Sequence, residues 1–438
     1  MRTITAKFGG TSLADASQIR KAADIIKANP ERKYIVASAP GKRFSDDIKV
    51  TDLLYSCYSE FAKGSEYSGI LAKIKARYAD IISELGIKFD ISAEIETIEY
   101  ELKKYPPADY LASRGEYLNA KIIAEFLGWP FVDAAEAIFF DEAGIFEDSK
   151  TYHALGEKLK ALSCAVIPGF YGSMPDGRIK TFSRGGSDIT GSIVARSVGA
   201  DLYENWTDVS GMLSADPRIV SKPKPIEYIT YTELRELSYM GASVLHEDAV
   251  FPVRTAGIPV NIRNTNSPDD SGTLISASIP HDVKRNPVTG IAGRKGFTSI
   301  RVEKSQMNGQ TGFGARLLYI FSRNGVPFEH CPTGIDTISV VVNSSAFDAK
   351  RDDILREIKN ELSPDFITIE KNLAAIAVVG EGMISARGTA AKVFTALAEA
   401  GVNIRMIDQG SDELNIIIGV DESDYEKSLK ALYSAMIN

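Results

Sequence analysis

A chain of 438 residues is longer than one ordinary hydrophobic core organises, so two or three domains are expected. With 44% hydrophobic and 25% charged residues, the composition is that of a soluble globular protein. A formal net charge of −8 argues against a nucleic-acid binder or a membrane-surface protein, both of which need a basic face, yet leaves room for a local basic pocket.

In chain order, a β-like run at residues 3–8 leads into the turn KFGGTS (7–12), and a helical pattern leads out. YIVASAP (34–40) reads as a buried strand, residues 130–133 as a second, and the apolar part of KALSCAVIPGFYG (160–172) as a third, closed by a Pro-Gly turn. The polar loop TFSRGGSD then opens an amphipathic helix over 188–200. LYENWTDVSGM (202–212) is a strand running into a turn, and IPVNIRN (258–264) is one more. Short strands separated by helices predict an α/β fold, a mostly parallel central sheet covered by helices on both faces, over residues 1–280.

HDVKRNP (281–287) reads as a linker, after which the pattern changes. Residues 297–371 run strand, helix, strand, strand, helix, strand. Residues 372–438 repeat the order at a period of roughly 70 residues, one strand short. The apolar run VTGIAGRKG (288–296) fills the gap. The expectation is two βαββαβ, ferredoxin-like modules, the first (297–371) inserted into the second (288–296 plus 372–438).

Four clusters carry chemistry. In KFGGTS, glycines between a strand and a helix let phosphate oxygens approach unpaired backbone N–H groups, and Lys7 adds a point charge. The bland alternative is a tight turn with a surface lysine. No GxxxxGK[ST] motif and no protein-kinase signature occurs. In SRGGSD (183–188), Arg184 can grip a carboxylate bidentately, and Asp188 is either a helix N-cap or an organiser of phosphate and Mg²⁺. TDVSGMLSADPR (207–218) follows a strand end, where α/β sheets bind ligands. In SRGEYLNA (113–120), Glu116 is read at a helix start, serving either the helix dipole or a substrate ammonium. Cys57, Cys164 and Cys331 show neither CxxC nor Cys/His spacing, so free thiols are expected and no metal site. The histidines at 153, 246, 281 and 330 show no ligand spacing. No apolar run approaches the ~18 residues of a membrane span, and a signal-peptide core is missing, so a cytoplasmic location is expected.

KFGGTS, SRGE, FSRGGSD, WTDVSGM–DPR and GASVLH (241–246), in this order over the whole chain, resemble the aspartate kinases of the amino-acid kinase superfamily, and the tail resembles their paired ACT modules. The resemblance implies a three-layer αβα catalytic domain and ATP-dependent phosphorylation of the side-chain carboxylate of L-aspartate, at the head of lysine, threonine and methionine biosynthesis. Lys7 would contact the transferring phosphate, with Gly9, Gly10, Thr11 and Ser12 lining the loop. Ser38 and Thr51 would approach substrate and phosphate. Glu116 would bind the aspartate ammonium and Arg184 its α-carboxylate. Asp188 would organise phosphates and Mg²⁺, itself held mainly through the nucleotide, and Thr207, Asp208 and Arg218 would hold ATP. The regulatory turn would present Met307, Asn308, Gln310, Gly312, Phe313 and Gly314 to lysine and/or threonine, with Glu329 and Asp336 as acidic candidates. For these two the alternative is surface charge, and for Phe313 it is plain core. A homodimer or dimer of dimers is implied.

The chain departs from the family at Leu213, where many relatives carry tyrosine, and at Ser243, where many carry lysine. Either another base substitutes there or ATP binds more weakly. The loop PGKRFSDDIKVTD (40–52) is also long, with Lys42, Arg43 and Lys49, and reads either as a solvated loop or as a lid. Two rival functions are a sister kinase acting on glutamate or N-acetylglutamate, and a silent amino-acid sensor.

Overall fold

The computed structural model describes every residue except Met1, Arg184, Ser243, Val244, His246, His281, Asp282, Lys284 and Asn438, and the side chains of Glu247 and Asp248. The chain divides into two compact units. The first comprises Met1–Met212, Pro225–Leu234 and Val244–Pro280; the second comprises Leu213–Lys224, Arg235–Ser243 and His281–Asn438. Two short segments before residue 280 thus belong with the second unit. Among the described residues no helix is long and apolar enough to cross a membrane.

The first unit is organised by a seven-stranded sheet. Its strands are β1 (Ile4–Phe8), β2 (Arg32–Ala37), β3 (Ala165–Pro168), β4 (Leu202–Thr207), β5 (Tyr228–Thr230), β6 (Val260–Asn264) and β7 (Thr273–Ser276). They lie in the order β3-β2-β1-β4-β6-β7-β5, antiparallel only between β6 and β7. All five residues of β1 are buried, as a central strand covered on both faces requires. The order reverses between β1 and β4, which pair in parallel with Lys7 beside Asn205. Ligand crevices of open α/β sheets form at such a switch point, beyond the carboxyl ends of the strands. The strand expected at 130–133 is only a bridge from Phe131 to Val166. Pro130 has no N–H to extend the ladder, and Asp133 already accepts from Ala135 N to start a 3-10 turn.

The helices that frame the site are α1 (Ala16–Ala28), α2 (Val50–Ala62), α3 (Ser68–Leu85), α4 (Ile91–Leu102), α5 (Ala108–Leu127), α6 (Asp148–Lys160) and α7 (Gly186–Val198). Asp15 caps α1 by accepting from Gln18 N at 2.9 Å, and Ile19, Ala22, Ala23 and Ile26 turn its apolar face inward. Helix α7 stops at Gly199, whose φ of 63° lets it donate back to Ala195 and Arg196 carbonyls.

The second unit carries a six-stranded antiparallel sheet, made of β8 (Gly290–Glu303), β9 (Phe328–His330), β10 (Thr337–Asn343), β11 (Phe366–Val379), β12 (Ile404–Asp408) and β13 (Asn415–Asp421), in the order β9-β10-β8-β11-β13-β12. Strands β8 and β11 are 14 residues each and run unbroken through the positions where two separate strands apiece are expected. Phe297–Glu303 pairs with β10, and the Gly290–Lys295 half of β8 pairs with the Ala374–Val379 half of β11, which goes on to pair with β13. Two apolar cores result. One gathers Val302, Phe321, Val340 and Ile358, and the other Ile376, Leu397, Ile418 and Leu432.

Candidate active site

At the carboxyl end of β1, Lys7 is 7% exposed, and its Nζ lies 2.5 Å from Asp188 Oδ1 and 3.4 Å from Asn205 Oδ1. Asn205 Nδ2 donates to the same Asp188 oxygen at 2.8 Å. Strand β1, strand β4 and helix α7 each supply one member of this triangle. Asp188 is the third residue of α7, whose cap position is Gly185, so the N-cap alternative is not what the structure contains. Its carboxylate serves the lysine instead. Asn205 escaped the sequence reading, although an asparagine in the middle of an otherwise buried strand is a signal that it has a polar task.

The turn after Lys7 is compact. Gly9 N donates to Trp206 O at 2.9 Å, Leu13 N to Gly10 O at 3.2 Å, and Gly41 N to the same carbonyl at 2.8 Å. A Cβ on Gly10 would stand 3.0 Å from Ala39 O, and one on Gly41 would stand 2.5 Å from Gly10 C. Thr11–Leu13 is a 3-10 turn, and Ser12 Oγ accepts from Thr265 Oγ1 at 2.7 Å. Ser38 N donates to Phe8 O at 3.2 Å, and Ser38 O accepts from Asn119 Nδ2 at 2.7 Å. Thr51 is the second residue of α2.

Glu116 does not sit at a helix start. Helix α5 begins at Ala108, so Glu116 lies in its interior, beyond the reach of the N-terminal dipole. It is 6% exposed, and among the described residues its Oε2 has no partner. Burial pushes its pKa up to about 8, while the backbone N–H of Ala39 works against that rise. A buried carboxyl with an empty acceptor suits an incoming cation. Asn119, one turn on, likewise has an unpartnered Oδ1.

Thr207 and Asp208 close β4, joined by a 3.2 Å hydrogen bond from Thr207 Oγ1 to Asp208 Oδ1. Arg218 belongs to Leu213–Lys224 of the second unit, is 85% exposed at its side chain, and is paired with Asp216 at 2.6 Å. Leu213 begins the same segment, while Arg184 and Ser243 lie outside the described residues. Lys42 and Lys49 are exposed, with Lys42 Nζ donating to Ser45 O within its own loop.

In the second unit, the turn before helix α8 (Phe313–Arg323) departs from the expected lining. Met307 and Phe313 are buried in the core with Val302 and Phe321, so their side chains are packing residues. Asn308 is exposed, and Gly312 takes φ 80° to open the helix ahead of Gly314. Gln310 N closes the turn onto Met307 O at 3.0 Å. Asp336 Oδ1 accepts from Gln306 N at 2.9 Å, and Glu329 accepts from the Tyr239 hydroxyl. Among the described residues no three His, Cys, Asp or Glu side chains gather as a metal cluster.

Comparison with known proteins agrees with this geometry. The amino acid kinase family model matches residues 2–264, and an ACT domain model matches 376–436. Aspartokinase 3 of Bacillus subtilis (strain 168) is 41% identical over 98% of this chain and 97% of its own. The crystal structure of Clostridium acetobutylicum aspartate kinase superposes over the whole of both chains with a TM-score of 0.92 at 50% identity. E. coli aspartokinase III, solved with aspartate and ADP, shares the fold over both full chains at 24% identity and a TM-score of 0.75. The chain therefore belongs to the aspartate kinases of the amino acid kinase family, with an ACT domain in its C-terminal part.

Proposed function

We propose that the chain transfers the γ-phosphoryl group of ATP to the side-chain carboxylate of L-aspartate, giving ADP and 4-phospho-L-aspartate. The observation that carries this reading is the Lys7–Asp188–Asn205 triangle at the switch point of the sheet. The nucleophile is already ionised near neutral pH, so no general base is needed. Catalysis consists of in-line positioning and of neutralising charge on the transferring group. Lys7 and the N–H of Gly10 in the glycine turn meet the phosphate, the N–H of Gly9 being held by Trp206 O, and Asp188 and Asn205 hold the ammonium of Lys7 in place. Asp188 would organise, from the protein side, a Mg²⁺ held mainly through the nucleotide phosphates, which would supply further neutralisation of their charge.

Glu116 receives the substrate ammonium, and Arg184 its α-carboxylate, with Ser38 and Thr51 beside them. Thr207 and Asp208 hold ATP, and Arg218 joins them only by giving up Asp216. The tail modules, 297–371 inserted into 288–296 plus 372–438, regulate the enzyme by binding lysine and/or threonine at the turn that carries Asn308, Gln310 and Asp336. Pairing of modules between chains makes a homodimer or a dimer of dimers. The product enters lysine, threonine and methionine biosynthesis in the cytoplasm.

The test traps acyl phosphate as hydroxamate from ATP, Mg²⁺ and hydroxylamine with L-aspartate, L-glutamate or N-acetylglutamate, each with and without lysine and threonine. Signal with aspartate, suppressed by an effector, is expected. Signal with another acid alone would overturn the substrate, and effector binding with no signal from any acid would make the chain a sensor.

A further inference from the structure

The segment between β2 and α2 forms the outer wall of the glycine turn. Gly41 is hydrogen-bonded to Gly10 and packed too closely on it for any side chain at Gly41. What holds this wall comes from an unexpected place, the middle of α3. Arg77 is 5% exposed. Its Nη2 donates to Gly41 O and, at 3.3 Å, to Ala14 O just past the phosphate turn. Its Nη1 donates to Ile48 O at 2.8 Å and faces Asp47 Oδ2 at 3.2 Å. Asp47 also accepts from Arg43 Nε at 2.8 Å and Nη2 at 3.1 Å. Both ends of the wall and the far side of the turn therefore converge on one guanidinium. An ammonium group, with a single nitrogen, cannot reach all of these carbonyls from one stem, whereas the planar fork of arginine can.

We infer that Arg77 is a positioning residue for phosphoryl transfer, pinning residues 41–48 against the Gly9–Gly10 turn so that the Gly10 N–H stays aimed at the phosphate. It acts through backbone carbonyls of the wall. The inference rests on the proposed phosphate role of that turn. Misplacing reacting groups by about 1 Å costs on the order of 10²-fold in rate, so loss of the pin shows on the nucleotide side. Glu116 is carried by α5 and met by the N–H of Ala39, before the pinned residues, so substrate ammonium binding changes much less.

The experiment compares Arg77→Lys and Gly41→Ala with wild type in the full chain, at a temperature where near-UV circular dichroism shows each variant fully folded. Gly41→Ala disturbs the same wall without touching a buried charge, so it serves if Arg77→Lys folds poorly. Both variants are expected to lose about 10- to 100-fold in kcat/KM for ATP. KM for aspartate is expected to stay within about twofold. Folded variants with wild-type ATP kinetics, or with both KM values raised alike, would overturn the inference. Lys7→Met, assayed alongside, separates the two levels. If it is inactive while the wall variants are normal, only the role of Arg77 falls. If it turns over like wild type, the phosphate reading falls as well.

Discussion

Strand β4 carries two charged constellations on opposite faces, and they are built to opposite ends. Successive residues of a strand alternate faces, so Glu204 and Trp206 share one side and Asn205 the other. On the first side, Glu204 takes Arg32 through both oxygens, at 2.7 and 3.1 Å, and the Trp206 indole N–H at 2.8 Å. Arg32 and Arg263 lie over the Trp206 ring, 5.2 and 4.8 Å from its centroid. Both members of the Arg32–Glu204 pair are almost wholly buried. On the second side, Lys7 has one carboxylate and one amide, and Asp188 is 21% exposed at its side chain. Both oxygens of Glu204 are taken by buried partners, whereas the Lys7 set stands at the end of a strand with the Asp188 carboxylate open to solvent. Buried charge alone therefore does not mark function; a charged set at a strand end with one member open to solvent does.

Breaking the closed side is expected to have the largest effect, and on stability alone. Glu204→Ala leaves Arg32 buried without its counter-charge and should cost about 3–5 kcal/mol in urea unfolding. The protein that stays folded should keep wild-type KM values. A variant that loses turnover while unfolding at the wild-type midpoint would erase the distinction between the two faces. Breaking the open side should do the reverse. Lys7→Ala should lower turnover by about 10²–10³-fold, the loss typical of a donor that meets developing charge. Its unfolding midpoint should stay near that of wild type. Loss of stability without loss of turnover would make Lys7 a second structural ion.

The legible parts of this arrangement were those written as local pattern. KFGGTS, the strands 34–40 and 202–212, and the alternating modules of the tail all declare themselves by spacing and turn residues. Asn205 was hidden because its importance comes from lying beside Lys7 in register, a pairing across some 198 residues of sequence. The start of α5 is misplaced at SRGE although Pro106 and Pro107, just before Ala108, mark where the helix begins, and SRGE lies well inside it. Met307 and Phe313 are packing residues, the core alternative that the sequence leaves open for Phe313, because the 3-10 turn at Met307–Gly309 and the first turn of α8 each send an apolar side chain inward. Arg77 carries no motif at all; only the convergence of two loop segments onto it gives it away.

Glu116 sharpens the comparison in a third way, since it is buried like Glu204 but has no partner for Oε2. Its pKa is about 8 in the folded chain against an ordinary 4.5, because burial penalises the charge. The folded state then holds a proton that the unfolded state has lost, so wild type loses stability as pH rises from 4.5 through about 8. Glu116→Gln removes that slope. Its melting temperature relative to wild type should climb between about pH 5 and pH 9. KM for aspartate should fall with pH in wild type as the carboxylate forms, and should be high and flat in the variant. A constant melting difference across that range would show that Glu116 is already ionised and satisfied.

Arg218 should give the smallest effect. Its guanidinium is paired with Asp216 and is 85% exposed, so water screens whatever the pair contributes. If Arg218 reaches ATP, it must abandon Asp216, and the exchange of one carboxylate for a phosphate in high dielectric gains little. Arg218→Ala is accordingly expected to raise KM for ATP by no more than about threefold, with turnover unchanged. A rise of the size given by Lys7→Ala would place Arg218 with the open constellation. The criterion drawn from β4, that a charged set open to solvent at a strand end marks the working face, would then need widening to an exposed pair beyond that strand.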